Sequence, residues 1–165
     1  MKLWLQGCVI SACLLLTLPC CAARKRSNHI SPEKQVIAST ALNWEDYSEA
    51  MQQSNKDGKP ICLFFTGSDW CMWCIKMQEK LLNTPQFSLF AYKHLHIVEI
   101  DFPQKKGHQN EEQKQKNREL KNQYGVSGFP ELVFINGSGK ELGRMHYEEL
   151  DPATYVNKIR MTLNL

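Results

Sequence analysis

Cys71 and Cys74 stand three residues apart in the stretch Trp70-Cys71-Met72-Trp73-Cys74. At that spacing on a helix two sulfurs can bridge, and a pair that closes and opens carries out thiol–disulfide exchange. Their surroundings give them different tasks. Cys71 follows an apolar run and opens a helical pattern, where unpaired N–H groups and the positive end of the helix dipole favour a thiolate. It is expected to be exposed and to act as the nucleophile. Cys74 lies one turn on, with Met77 and Leu81 on its face, and is expected to be buried and to resolve the mixed disulfide.

A magnitude bounds the chemistry. Moving a thiol from a pKa of about 8.5 to about 7 requires roughly 2 kcal/mol, and a helix terminus supplies about 0.3–2 kcal/mol depending on burial. Met72 and Trp73 add no positive charge, and Asp69 opposes the thiolate if it points the same way. A moderate pKa follows, which leans toward a reducing or balanced catalyst. Other uses of the pair stay open on these residues. They are a structural disulfide or a metal site that recruits Cys62 and a histidine. Covalent haem needs a histidine where Ile75 stands. Cys62 lies inside an apolar run and reads as an inert core residue. Trp73 reads as an apolar rim beside the thiol, and Trp70 fits rim and core equally.

The elements that must position this pair can be traced along the chain. Asn43 is expected to cap a helix running to about Asn55, with Trp44, Tyr47, Ala50 and Met51 at helical spacing. Asp57-Gly58-Lys59-Pro60 is a turn, and Ile61 to Thr66 is a strand buried on both faces. Met72 to Leu82 is a helix, interrupted by Asn83-Thr84-Pro85. His94 to Asp101 is a second strand. The polar segment from Pro103 to Arg118 is a solvated loop running into a helix that ends near Tyr124-Gly125. Glu131–Ile135 and 140–147 flank Asn136-Gly137-Ser138-Gly139, a hairpin signal. Asp151-Pro152 opens a last helix with Val156, Ile159 and Leu163 on one face. Strands separated by helices imply parallel crossovers, and the hairpin adds antiparallel strands. The expected class is α/β, a mixed sheet with helices on both faces.

The 165 residues suggest one folded domain behind an export signal. Lys2, an uncharged apolar run from Leu3 to Leu18, small residues to Ala23 and then Arg24-Lys25-Arg26 have the order of a secretory signal. The run of about 16 residues falls short of the roughly 20 that span a membrane. Lipidation near Cys20 or Cys21 is a lesser alternative. The expected organisation is a signal peptide over residues 1–23, an arm over 24–42 and a domain over 43–165. A formal charge of +3 without a basic, aromatic-laced stripe excludes an obvious nucleic-acid surface. Of seven cysteines, four lie in or beside the signal, leaving one close pair and Cys62. That is poor scaffolding for a stapled fold, and it suits an oxidising compartment such as a periplasm.

With those residues in hand, the chain resembles the thioredoxin superfamily. The likeness rests on three features: the strand Ile61 to Phe65, the Trp-Cys-Met-Trp-Cys motif, and Val126-Ser127-Gly128-Phe129-Pro130 ahead of a strand. It implies a thioredoxin-like fold from about Trp44 onward. It also implies a cis Pro130 facing the cysteines and pairing of the Phe129 backbone with substrate, beside Trp73. An exported single-domain member with Cys-Met-Trp-Cys is similar to the superfamily's periplasmic reductases. That likeness implies reduction of disulfides of exported proteins, with electrons drawn from a membrane reductant of the DsbD type. A monomer is expected, because no dimerisation domain like that of the exported isomerases precedes the fold, and no cofactor is expected. An oxidant or isomerase is the same-class alternative, and a metal carrier or a non-catalytic interaction module the different-class one. Two departures count. Six residues before the first cysteine thioredoxin has a buried aspartate, and here Phe65 stands there. Proton handling would then fall to water, Asp69 or Glu99. The dipeptide Met72-Trp73 also differs from thioredoxin's Gly-Pro.

Overall fold

The computed structural model describes residues 41–165 apart from 106 and 108. The expected signal peptide and residues 24–40 of the arm lie outside the described residues. Helix α1 spans Tyr47–Asp57, β1 Ile61–Thr66, α2 Met72–Met77, α3 Pro85–His94 and β2 His96–Asp101. Then follow α4 (Glu111–Gln123), β3 (Glu131–Ile135), β4 (Glu141–His146) and α5 (Pro152–Leu163). The sheet order is β2-β1-β3-β4, with β1 parallel to β2 and antiparallel to β3, and β3 antiparallel to β4. This is the mixed α/β architecture expected from the sequence.

β1 is central, and all six of its residues are buried. Its alternation feeds two cores. Cys62 and Phe64 join Cys71, Cys74, Met77, Phe87, Phe134, Tyr155 and Ile159 under α2, α3 and α5. Ile61, Leu63 and Phe65 join Ala50, Val98, Leu120 and Tyr124 under α1 and α4. Phe65 therefore faces away from the cysteine layer. Its neighbour Phe64, which is equally apolar, shares that layer with Cys62.

Three expectations need correction. α1 is capped by Asp46 and not by Asn43, because the Asp46 carboxylate accepts from Ser48 N at 2.8 Å and from its hydroxyl at 2.6 Å. The residues before it are drawn into the sheet. Trp44 bridges Ile97 on the outer edge of β2, Glu45 N donates to Ile97 O at 2.8 Å, and the Trp44 ring stacks on Phe64. The break at Asn83-Thr84-Pro85 also starts α3. Thr84 Oγ1 caps Phe87 N, Pro85 takes the first turn, and Phe87, Phe90 and Ala91 form a buried stripe. Finally, the polar segment is not wholly a solvated surface. In α4, Asn117 is buried and donates from Nδ2 to Asp101 O at 2.7 Å, tying the helix to the end of β2.

The helix that starts at Met72 does continue to Leu82, with its last part, Gln78–Leu82, wound as a π turn. The hairpin turn is held by Asn136 Oδ1, which accepts from Ser138 N and Lys140 N, and Gly139 supplies the positive φ of 79°. Asp151 Oδ1 caps α5 by accepting from Ala153 N and Thr154 N, both at 3.1 Å.

Candidate active site

After β1 the chain turns sharply through residues 67–70. Cys71 N donates to Gly67 O at 2.9 Å, and a Cβ on Gly67 would lie 2.4 Å from the Trp70 indole. Three successive side chains dock this turn onto the end of β2 and the segment that follows it. Ser68 donates from N and Oγ to the Asp101 carboxylate at 2.8 and 2.6 Å. Asp69 accepts from Gln104 N and Lys105 N at 3.0 and 2.9 Å. Trp70 Nε1 donates to Phe102 O at 2.8 Å.

The Asp69 carboxyl is held below the usual carboxylate range by those two amides, Gln104 foremost. Its oxygens are engaged with this loop. Because the folded value is depressed, the tether is complete above the unfolded value of about 3.9 and is lost as pH falls through the lower folded value. Asp69→Asn leaves one carbonyl oxygen for two amides. Amide exchange at Gln104 and Lys105, followed by NMR at neutral pH, is expected to quicken in this variant. Equal rates in variant and wild type would show that something else orders the segment.

Cys71 is the N-cap of α2, and its Sγ accepts from Cys74 N at 3.2 Å. The two cysteines form a disulfide with an S–S distance of 2.09 Å and Cα atoms 5.2 Å apart. Cys71 is not the freely exposed residue expected: it is 6% exposed, against 0% for Cys74. Its sulfur is turned back against the helix, bonded to Cys74 Sγ and to an N–H group. The order of access between the two is nonetheless Cys71 before Cys74. Cys62 is a free thiol in the same layer, and burial pushes its pKa far up, away from thiolate chemistry.

An open apolar surface surrounds the pair, with Trp70, Met72, Trp73 and Ile75 all exposed. The Phe129-Pro130 bond is cis. The Phe129 ring stacks on Phe102 at 5.1 Å and meets Trp70 edge-on at 6.0 Å. Trp73 lies 5.8 Å from Tyr147 and beneath Lys76 Nζ, 4.4 Å from the ring centroid. A cleft of about 430 Å³ runs between these groups, lined by Trp73, Gly128, Phe129, Pro130, His146, Tyr147 and Glu149. Its far wall, the loop after β4, is anchored from below. The Tyr155 hydroxyl donates to His146 O and accepts from Glu148 N, and burial pushes its pKa up to about 12.

The fold thus brings Trp73, Phe129 and Pro130 to one cleft beside the disulfide. Sequence reasoning missed the wall of His146, Tyr147 and Glu149, and Phe102 under Phe129. No local pattern marks them, since they arrive through sheet pairing. Glu99 belongs elsewhere, in a cleft between the start of α1, β2 and α4, where burial foremost and then Asp101 raise its pKa. Among the described residues, no group of three His, Cys, Asp or Glu side chains could hold a metal ion.

Comparison with known proteins agrees with this geometry. Residues 47–157 match the family described as thioredoxin-like domain, and the chain belongs to that family. It is a thiol–disulfide oxidoreductase, built on this fold around the Cys71–Cys74 pair. Over its full length it is 60% identical to disulfide bond reductase DsbH of Chlamydia pneumoniae, covering 99% of that protein. A solved DsbH oxidoreductase matches with a TM-score of 0.75 and 60% identity over 78% of this chain and 89% of that one. A thioredoxin from Thermus thermophilus matches at 0.56 with 22% identity, over 73% of this chain and 85% of its own, a likeness of fold alone.

Proposed function

We propose that this protein is an exported reductase that opens disulfides in periplasmic proteins, with Cys71 as nucleophile and Cys74 as resolving thiol. The observation that carries the reading is the Cys71–Cys74 pair at the start of α2, its more accessible cysteine at the N-cap, beside an open apolar cleft. The 60% identity to a disulfide bond reductase supports the direction.

The reaction starts from the dithiol. The Cys71 thiolate, favoured by the N–H groups of the first turn, attacks one sulfur of a substrate disulfide. The substrate's S–S bond breaks, its other sulfur leaves as a thiol after taking a proton, and a mixed disulfide joins Cys71 to the substrate. Cys74 then loses its proton and attacks Cys71 Sγ, releasing the second substrate thiol. Two electrons have passed to the substrate, and the Cys71–Cys74 disulfide remains. A membrane reductant of the DsbD type restores the dithiol. In the mixed disulfide an extended substrate strand pairs with the backbone of Phe129, against Pro130 and the Trp73 ring. Residues 1–23 act as the export signal, 24–42 as an arm and 43–165 as the working domain, which acts as a monomer.

Equilibration with glutathione buffers tests the direction. A potential near roughly −270 mV is expected, and one near roughly −120 mV, that of a strong oxidant, would overturn the reductive reading.

A further inference from the structure

The loop that carries Phe129-Pro130 runs from the end of α4 to the start of β3, and one side chain holds both of its ends. Arg144, on β4, donates from Nη2 to Tyr124 O at 3.0 Å and from Nη1 to Glu131 Oε1 at 2.8 Å. Tyr124 caps α4, and Glu131 directly follows Pro130. The guanidinium is aimed by Glu141, which accepts from Nε at 2.8 Å and from Nη2 at 2.6 Å. Glu131 is 1% exposed, so its carboxylate depends on this partner. His146, a wall of the cleft, reaches only to 3.9 Å of the same oxygen. The pattern uses the rigid fork of a guanidinium, and a lysine ammonium could not span the carbonyl and the carboxylate together.

We propose that Arg144 is a positioning residue: by tying Tyr124 to Glu131 it sets the height of the Phe129-Pro130 segment against the disulfide, and so governs how well an extended protein substrate binds. This deepens the proposed function and rests on its assignment of Phe129 and Pro130 to substrate. Arg144 takes no part in the sulfur chemistry itself.

The test compares wild type, Arg144→Gln, Arg144→Lys and Glu131→Gln as full chains. Insulin serves as the protein disulfide and 5,5′-dithiobis(2-nitrobenzoate) as a small one that needs no strand pairing. Arg144→Gln is expected to raise KM for insulin roughly tenfold with kcat within about twofold, since small misplacements in a binding site carry such costs. The rate with the small disulfide and the equilibrium with glutathione stay at wild-type values. Arg144→Lys shares the defect, and Glu131→Gln shows a smaller rise of the same kind. A merely structural role would lower kcat for both disulfides by the unfolded fraction and leave KM alone. That result, an unchanged KM in folded Arg144→Gln, or full rescue by lysine, overturns the proposal. If Arg144→Gln does not fold, Glu131→Gln decides, and an unchanged KM there overturns it equally. Wild type that cannot reduce insulin but oxidises reduced ribonuclease would sink the proposed function instead, and KM for ribonuclease would then be compared across the same variants.

Discussion

Cys74→Ser is expected to turn a catalyst into a trap. The variant keeps Cys71 at the N-cap of α2, so attack on a substrate disulfide proceeds and the mixed disulfide forms. Serine cannot displace the substrate, and Cys62, the other cysteine of the layer, is buried with its thiolate strongly disfavoured. Turnover is expected to fall by roughly a thousandfold or more, the scale on which loss of one member of a catalytic unit acts. Non-reducing electrophoresis and mass spectrometry would show protein partners joined at Cys71. Cys71→Ser should trap nothing, because Cys74 is 0% exposed and cannot reach a folded or extended partner. If Cys71→Ser accumulates the adducts and Cys74→Ser does not, the two roles are reversed.

The second large effect concerns stability. Phe64 is fully buried in the central strand, stacks on Trp44 at 6.1 Å between ring centroids, and shares a layer with both active cysteines. Phe64→Ala is expected to cost about 3–5 kcal/mol, because the sheet on one side and α2 and α5 on the other limit collapse into the cavity. That is a large part of the roughly 5–15 kcal/mol that holds a domain folded. Urea unfolding followed by tryptophan fluorescence would measure it. A loss below about 1.5 kcal/mol would mean that the layer is looser than its burial implies.

Most of the fold was legible because its signals are local. The run Ile61–Thr66, the turn Asn136–Gly139 and the pair Asp151-Pro152 each carry their own geometry, and the structure keeps all three. What was missed depended on tertiary placement. Asn83-Thr84-Pro85 contains a stop and a start, and only the buried stripe of Phe87, Phe90 and Ala91 reveals the second. Trp44 has helical spacing with its neighbours, yet the free edge of β2 claims it. Counting six residues back from Cys71 leads to Phe65, whereas strand alternation turns Phe64 to the cysteines. At the site, the cysteines and the Phe129-Pro130 segment are visible as motifs. Tyr147, His146 and Arg144 are not, because their roles come from the β3–β4 register and the loop after it.

The Trp44–Glu45 stretch on the outer edge of β2 also bears on what an extended polypeptide meets at the margins of this sheet. Unfolded polypeptides offer strands to any bare sheet margin, and a long flat margin invites fibril-like stacking. Here one margin is partly covered by the chain's own Trp44–Glu45 stretch, pinned by Glu45 to His96. The other, β4, is broken by a bulge and studded with Glu141, Arg144 and His146. Under the proposed function, an extended chain turned away from both margins is left the cleft beside the disulfide as its berth, where the encounter would end in chemistry and release and not in coaggregation.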